Sequence, residues 1–164
     1  MKHSKRIAFV LLALVVSVLA GPPMQLAITD FTAANDNAAK LTTVLSQTTE
    51  ELKGRLGNRA DVQLVPDSQQ GACRLAGTIQ DLTMRTTTFR GSTYQAWNSR
   101  VSVSMRLILQ NPGGEPLRRD FTVVRRLRST AGEPKLDREL CLQLSHDLAA
   151  RCYEELVDMV QTLN

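Results

Sequence analysis

Hydrophobic and polar residues largely alternate between positions 100 and 110. Val101, Val103, Met105, Leu107 and Leu109 fall on one side, and Ser102, Ser104, Arg106 and Gln110 on the other. A period of two marks a strand with one buried and one wetter face. Asn111-Pro-Gly-Gly-Glu115 follows with residues suited to a tight turn, and Leu117 to Leu127 runs back. Upstream, from Cys73, the inward set shifts from Leu75, Gly77 and Ile79 to Leu82 and Met84. A slip of one position is what a β-bulge near Gln80-Asp81 produces. Phe89-Arg-Gly-Ser-Thr93 supplies the remaining turn. The stretch Cys73–Arg128 is therefore expected to form an antiparallel three-stranded meander.

The chain before the meander reads as strand, helix, strand. Met24, Leu26 and Ile28 alternate with Gln25 and Thr29, and Thr32 to Asn37 is a polar turn in which Asn35 or Asp36 suits a helix cap. Leu41, Leu45, Thr48, Leu52 and Leu56 fall at helical spacing, Gly54 and Gly57 bracket the end, and Val62-Gln-Leu-Val65 is a short second strand stopped by Pro66-Asp67. A strand–helix–strand unit of this length makes its two strands parallel neighbours. After the meander, an amphipathic helix is expected from about Leu136 to Leu163, with Cys141, Leu144, Leu148, Cys152, Met159 and Leu163 on its buried face. The expected fold is α/β in an α+β-like arrangement. It has a mixed five-stranded sheet, β-α-β followed by the meander and a long C-terminal helix, with both helices on one face.

The first twenty residues have the form of an export signal. Lys2, Lys5 and Arg6 precede an apolar run from Ile7 to Leu19, and Val18-Leu-Ala20 offers small residues for cleavage. At about 13 residues the run is shorter than the roughly 20 that a spanning helix needs; a retained anchor is the alternative. No cysteine precedes Cys73, so there is no lipid-attachment site after the apolar run. The expectation is residues 1–20 as a cleaved signal, residues 21–164 as one domain, and a periplasmic, non-lipoprotein location. The whole chain carries +4, but without its signal it has 17 basic against 16 acidic side chains. The basicity is thus mostly a targeting feature and gives no reason to expect a nucleic-acid partner.

Exported proteins meet oxidants, so the three cysteines matter. Cys141 and Cys152 share a helix face about 16 Å apart by helical rise and cannot bond to each other. A closing helix antiparallel to the first meander strand brings its carboxyl half near the start of that strand. The expectation is a Cys73–Cys152 disulfide with Cys141 free and buried; three reduced core cysteines are the alternative.

Candidate chemistry is sparse. His146, beside Asp147, is the one histidine after the signal, and it lies one position off the buried helical stripe. The chain has no Cys-x-x-Cys, no His-Glu-x-x-His and no glycine-rich phosphate loop, and Glu154-Glu155 diverge on a helix. No catalytic, cofactor or metal residue is nominated, and the chain is read as not an enzyme. Phe89, Tyr94 and Trp97 gather near one turn, either as a partner surface or as aromatics closing the end of a small core. Arg118, Arg119, Arg125, Arg126 and Arg128 crowd the third meander strand, where successive side chains point to opposite faces. The even-numbered ones can line up with Arg106 and attract an anionic polymer, phosphate or lipid headgroup. Arg106, Arg126 and Arg128 are therefore the candidate partner-binding residues; solvated charges or protection of an edge strand account for them equally.

Leu26-Ala-Ile-Thr-Asp-Phe31, the helix after it, Arg74-Leu-Ala-Gly-Thr-Ile79 and Val101-Ser-Val-Ser-Met-Arg-Leu107 with its glycine turn resemble the envelope superfamily of CsgG, the TolB amino-terminal domain, LpoB and PelC. The resemblance covers most of the chain after the signal. It departs from the family pattern in two places. Only Pro66 to Ala72 stand where relatives carry a helix, and the lipid-bearing cysteine of most relatives is missing. The resemblance implies a non-enzymatic accessory protein that scaffolds or assists an oligomeric secretion or polymer-assembly machine, with itself or another envelope protein as partner. A similar element order in the auxiliary lipoproteins of lipid-transport ABC systems implies the alternative, a periplasmic lipid- or glycan-binding component.

Overall fold

The computed structural model describes residues 22–35, 41–91 and 95–163. The expected signal at 1–20 lies outside these residues, as do Asp36 and Tyr94. In chain order the elements are β1 (Met24–Ile28), β2 (Thr32–Ala33), α1 (Thr42–Leu56), β3 (Val62–Leu64), β4 (Cys73–Arg90), β5 (Gln95–Gln110), β6 (Leu117–Ser129) and α2 (Arg138–Leu163). The sheet runs β3-β1-β4-β5-β6, with β2 pairing to β4 beyond the end of β1. It has six strands rather than five, because β2 was too short to leave a periodic signal. β1 is parallel to β3 and β4, and β4, β5 and β6 form the antiparallel meander.

The link between β3 and β4 contains no helix, and the register explains why none is needed. Leu26 pairs with Leu64 on one side and with Cys73 on the other. β4 thus starts level with the end of β3, and the chain moves only sideways across β1, about 10 Å over two strand spacings. Val65 N–H donates to the Leu26 carbonyl and Gln69 N–H to Pro66, which ties down this short crossing. Gly71 takes φ 77° at its end. The β5–β6 turn is equally specific. Gly114 N–H donates to the Asn111 carbonyl with Pro112 and Gly113 between, and Gly113 sits at φ 78°. Proline then glycine at the two central positions is the type II pattern, in which only the second needs positive φ.

Both helices lie on one side of the sheet and touch each other, Thr48 Oγ1 donating to the Ser145 carbonyl at 3.5 Å. The core joins Leu41 just before α1, Leu45, Leu52 and Leu56 within it, and Leu144, Leu148, Cys152, Leu156 and Met159 of α2 to Leu75, Ile79 and the odd-numbered residues from Val101 to Leu109 of β5. Burial of each such leucine stabilises the fold by about 1.5–3 kcal/mol. Gly77 sits in this face because Phe31 and Met105 occupy the space above it; an added Cβ would meet Met105 Cε at 2.5 Å. α1 begins at Thr42 behind Leu41, with no side-chain cap. Asn35 is therefore not its cap: its amide donates to the Gln80 carbonyl in β4. α2 is capped by Asp137, whose Oδ1 accepts from Leu140 N–H at 2.8 Å.

The slip expected near Gln80-Asp81 is present as a register shift between Ile79 and Asp81. Before it, odd-numbered residues of β4 face the helices; after it, Leu82 and Met84 do. The bulge therefore decides which side chains of distal β4 reach the opposite, helix-free face.

Candidate functional site

The helix-free face is built by side chains that leave the sheet away from the core. In β5 these are the even-numbered residues, and their register partners stand beside them on the same face. Arg85 pairs with Arg100, and Arg100 pairs with Arg126. Three arginines on three adjacent strands thus form one cross-strand row, spanning about 10 Å at strand spacings of about 4.8 Å. Arg128, opposite Asn98, stands on the same face one step along β6. Arg85 reaches this row only because the bulge reversed the parity of β4; in unbroken register it would face the helices.

All four side chains are exposed. Neither an ion pair nor a side-chain hydrogen bond engages any of them among the described residues. The only carboxylates on β4, β5 and β6 are Asp81 and Asp120, and both are committed elsewhere. Asp81 Oδ2 accepts from Thr83 Oγ1 at 3.0 Å. Asp120 holds Arg106 through two parallel bonds of 2.8 and 3.1 Å. That pair holds the Asp120 carboxyl below its usual range, because the guanidinium donates to the charged form. Around the row the surface is concave. A groove of about 460 Å³ is lined by Arg85, Thr87, Asn98, Arg100, Arg126 and Arg128. A second hollow of about 270 Å³ continues past Arg85 and Arg100 to Thr83 and Ser102.

Of the three arginines nominated from sequence, Arg126 and Arg128 line the groove. Arg106 does not. It shares their face but sits six residues, about 20 Å, along β5 from Arg100 and is neutralised by Asp120. Arg85 and Arg100 were missed, although the bulge and the β5 alternation together already place both on this face. The odd-numbered Arg125 lies on the helix side, 2.6 Å from Asp147 of α2. Phe89 and Trp97 do not form one aromatic surface. Phe89 pairs with Ala96 on the helix-free face and is 55% exposed, whereas Trp97 pairs with Thr88 on the other side.

The expected Cys73–Cys152 bond is not formed, and all three thiols are free. Cys73 Sγ lies 3.5 Å from Asn111 Oδ1, and Cys152 Sγ lies 3.7 Å from Met105 Sδ. Met105 and Asn111 are six residues apart, about 20 Å along the sheet, far beyond disulfide reach. The helix direction was read correctly but not its register: Leu156 and Val160, further along α2, are the residues beside Met24 and Val62. Burial pushes the Cys152 thiol up to about 12. Cys141 is half-buried rather than buried. His146 is 64% exposed, with Nδ1 2.7 Å from Glu51 of α1. Among the described residues no three Asp, Glu, His or Cys side chains gather as a metal site, and no helix is long and apolar enough to cross a membrane.

No family model matches the chain, and no curated protein matches it significantly in sequence. Several solved structures are distantly similar to it. A DUF330 protein from Xanthomonas campestris is 12% identical with TM-score 0.48, over 84% of this chain and 85% of that one. The rare lipoprotein B from Shewanella oneidensis is 17% identical with TM-score 0.44, over 82% and 98%. A PelC dodecamer from Paraburkholderia phytofirmans is 19% identical with TM-score 0.42, over 82% and 90%.

Proposed function

We propose that the chain is a non-enzymatic accessory component of the cell envelope. On this reading it assists an assembly or transport machine by holding an anionic partner against the helix-free face of its sheet. The observation that carries the reading is the row Arg85–Arg100–Arg126 with Arg128 beside it. Like charges directly opposite one another on adjacent strands are destabilising, so a sheet that keeps three in a row gains from an external counter-charge. The rest of the fold supports a binding role. The helices and the core back β4, β5 and β6 from the other side, and the four arginines of the row are donors without partners among the described residues. The free edge of β6 leaves backbone groups open to a second copy or a neighbouring subunit.

The test is retention of envelope components by immobilised protein. Wild type is expected to retain acidic material that elutes with salt. Arg100→Glu/Arg126→Glu is expected to lose it while circular dichroism stays unchanged, and Arg119→Glu, on the other face, is expected to keep it. Equal retention by all three proteins would contradict the reading.

A further inference from the structure

Resting on that reading of the arginine face, we infer that the groove between Arg85, Arg100, Arg126 and Arg128 is a site for a ligand carrying two or more phosphate groups. The argument turns on how many acceptors each kind of anion presents. A carboxylate has two oxygens in one plane, and one guanidinium fork satisfies it. This sheet contains that arrangement already, where Asp120 takes both bonds of Arg106 at 2.8 and 3.1 Å. A terminal phosphate offers three acceptor oxygens arranged tetrahedrally, so it can bridge two forks held side by side. Arg85, Arg100 and Arg126 stand side by side on strands about 4.8 Å apart. Two phosphates can thus bridge the row, one between Arg85 and Arg100 and one between Arg100 and Arg126. Arg128 lies about 7 Å along β6 from Arg126, two residues on, and neutralises the remaining charge.

The groove has room for such a ligand, about 460 Å³, with Thr87, Asn98, Ser99 and Leu127 lining it beside the arginines. Asn98 adds a side-chain amide that can donate to phosphate or ester oxygens, while the Thr87 hydroxyl donates to the Asn98 backbone carbonyl at 3.3 Å. No carboxylate lines this groove or the hollow that continues it. Beside Arg128, exposed Phe89 and buried Ala96 form an apolar margin on the same face, in a hollow of about 240 Å³. This chemistry is shared by soluble oligophosphates and by phosphate-bearing lipid headgroups. A lipid would use the Phe89 margin, and a soluble anion would not.

Titration calorimetry with tripolyphosphate, with citrate as a carboxylate of comparable charge, tests the inference on the full chain. Wild type is expected to bind tripolyphosphate at least tenfold more tightly than citrate. Arg100→Gln is expected to weaken tripolyphosphate about tenfold, the loss of one charge-assisted contact. Arg106→Gln and Arg119→Gln are expected to leave it unchanged, and the melting temperature of each variant verifies folding. Co-sedimentation with phosphatidylcholine vesicles containing phosphatidylglycerol separates the sources. Sedimentation that tripolyphosphate competes away and Phe89→Ser weakens assigns the site to a headgroup; no sedimentation assigns it to a soluble phosphate. Equal binding of citrate would overturn the phosphate inference while leaving the anionic-partner reading intact. Binding of neither anion would overturn both.

Discussion

Removing the central arginine of the row should stabilise the protein. Arg100 has a like charge directly opposite it on both sides, Arg85 across β4 and Arg126 across β6. Two unit charges about 6 Å apart in water repel by roughly 0.7 kcal/mol. Arg100→Gln removes two such terms, so at low ionic strength the variant should gain about 1.4 kcal/mol. For a chain of this size, that corresponds to a melting temperature about 3–6 °C higher. The gain should fade as salt is added, since the Debye length shrinks to about 3 Å at 1 M. Arg106→Gln is the internal control, because it removes an attraction to Asp120 and should shift stability the other way. Thermal melts of both variants across a salt series read all of this directly. A destabilised Arg100→Gln, or a gain indifferent to salt, would refute the claim that the row is an uncompensated charge.

Other parts of the fold make separate predictions. Gly77→Ala should cost about 1–3 kcal/mol in urea melts, because its methyl would press on Met105 and Phe31 inside a filled core. Under mildly alkaline native conditions a thiol reagent should modify half-buried Cys141 first and leave buried Cys152 untouched, while all three thiols react after unfolding. A mass lower by two hydrogens without reductant would instead reveal a bond. Arg59 holds the Asp61 carboxyl below its usual range by a side-chain hydrogen bond. A depressed folded value means that stability is present above the ordinary aspartate pKa of about 3.9 and is lost as pH falls. The stability difference between wild type and Asp61→Asn should therefore vanish in acid melts.

Much of the architecture was legible because its signals are local and periodic. The alternation through β5, the Asn111–Glu115 turn, the α1 stripe of Leu41, Leu45, Thr48, Leu52 and Leu56, and the parity slip at Gln80-Asp81 each stand in a few consecutive residues. Properties set by distance across the fold were harder to read. Whether Cys152 meets Cys73 or Met105 depends on how far α2 slides along the sheet, and a helical stripe is silent on sliding. Arg106 looked equivalent to Arg126 because both are even-numbered. Only the β5–β6 register reveals that Asp120 stands opposite the first and another arginine opposite the second. Asn35 had the chemistry of a cap but is spent on the β4 bulge.

The proposed site takes anions on one row of arginines rather than on any exposed guanidinium. Arginine Nε–Hε resonances followed during addition of tripolyphosphate measure this residue by residue. Saturable shifts are expected at Arg85, Arg100, Arg126 and Arg128, with Arg106, Arg119 and Arg125 unmoved. Uniform, non-saturating shifts over all the arginines would contradict it.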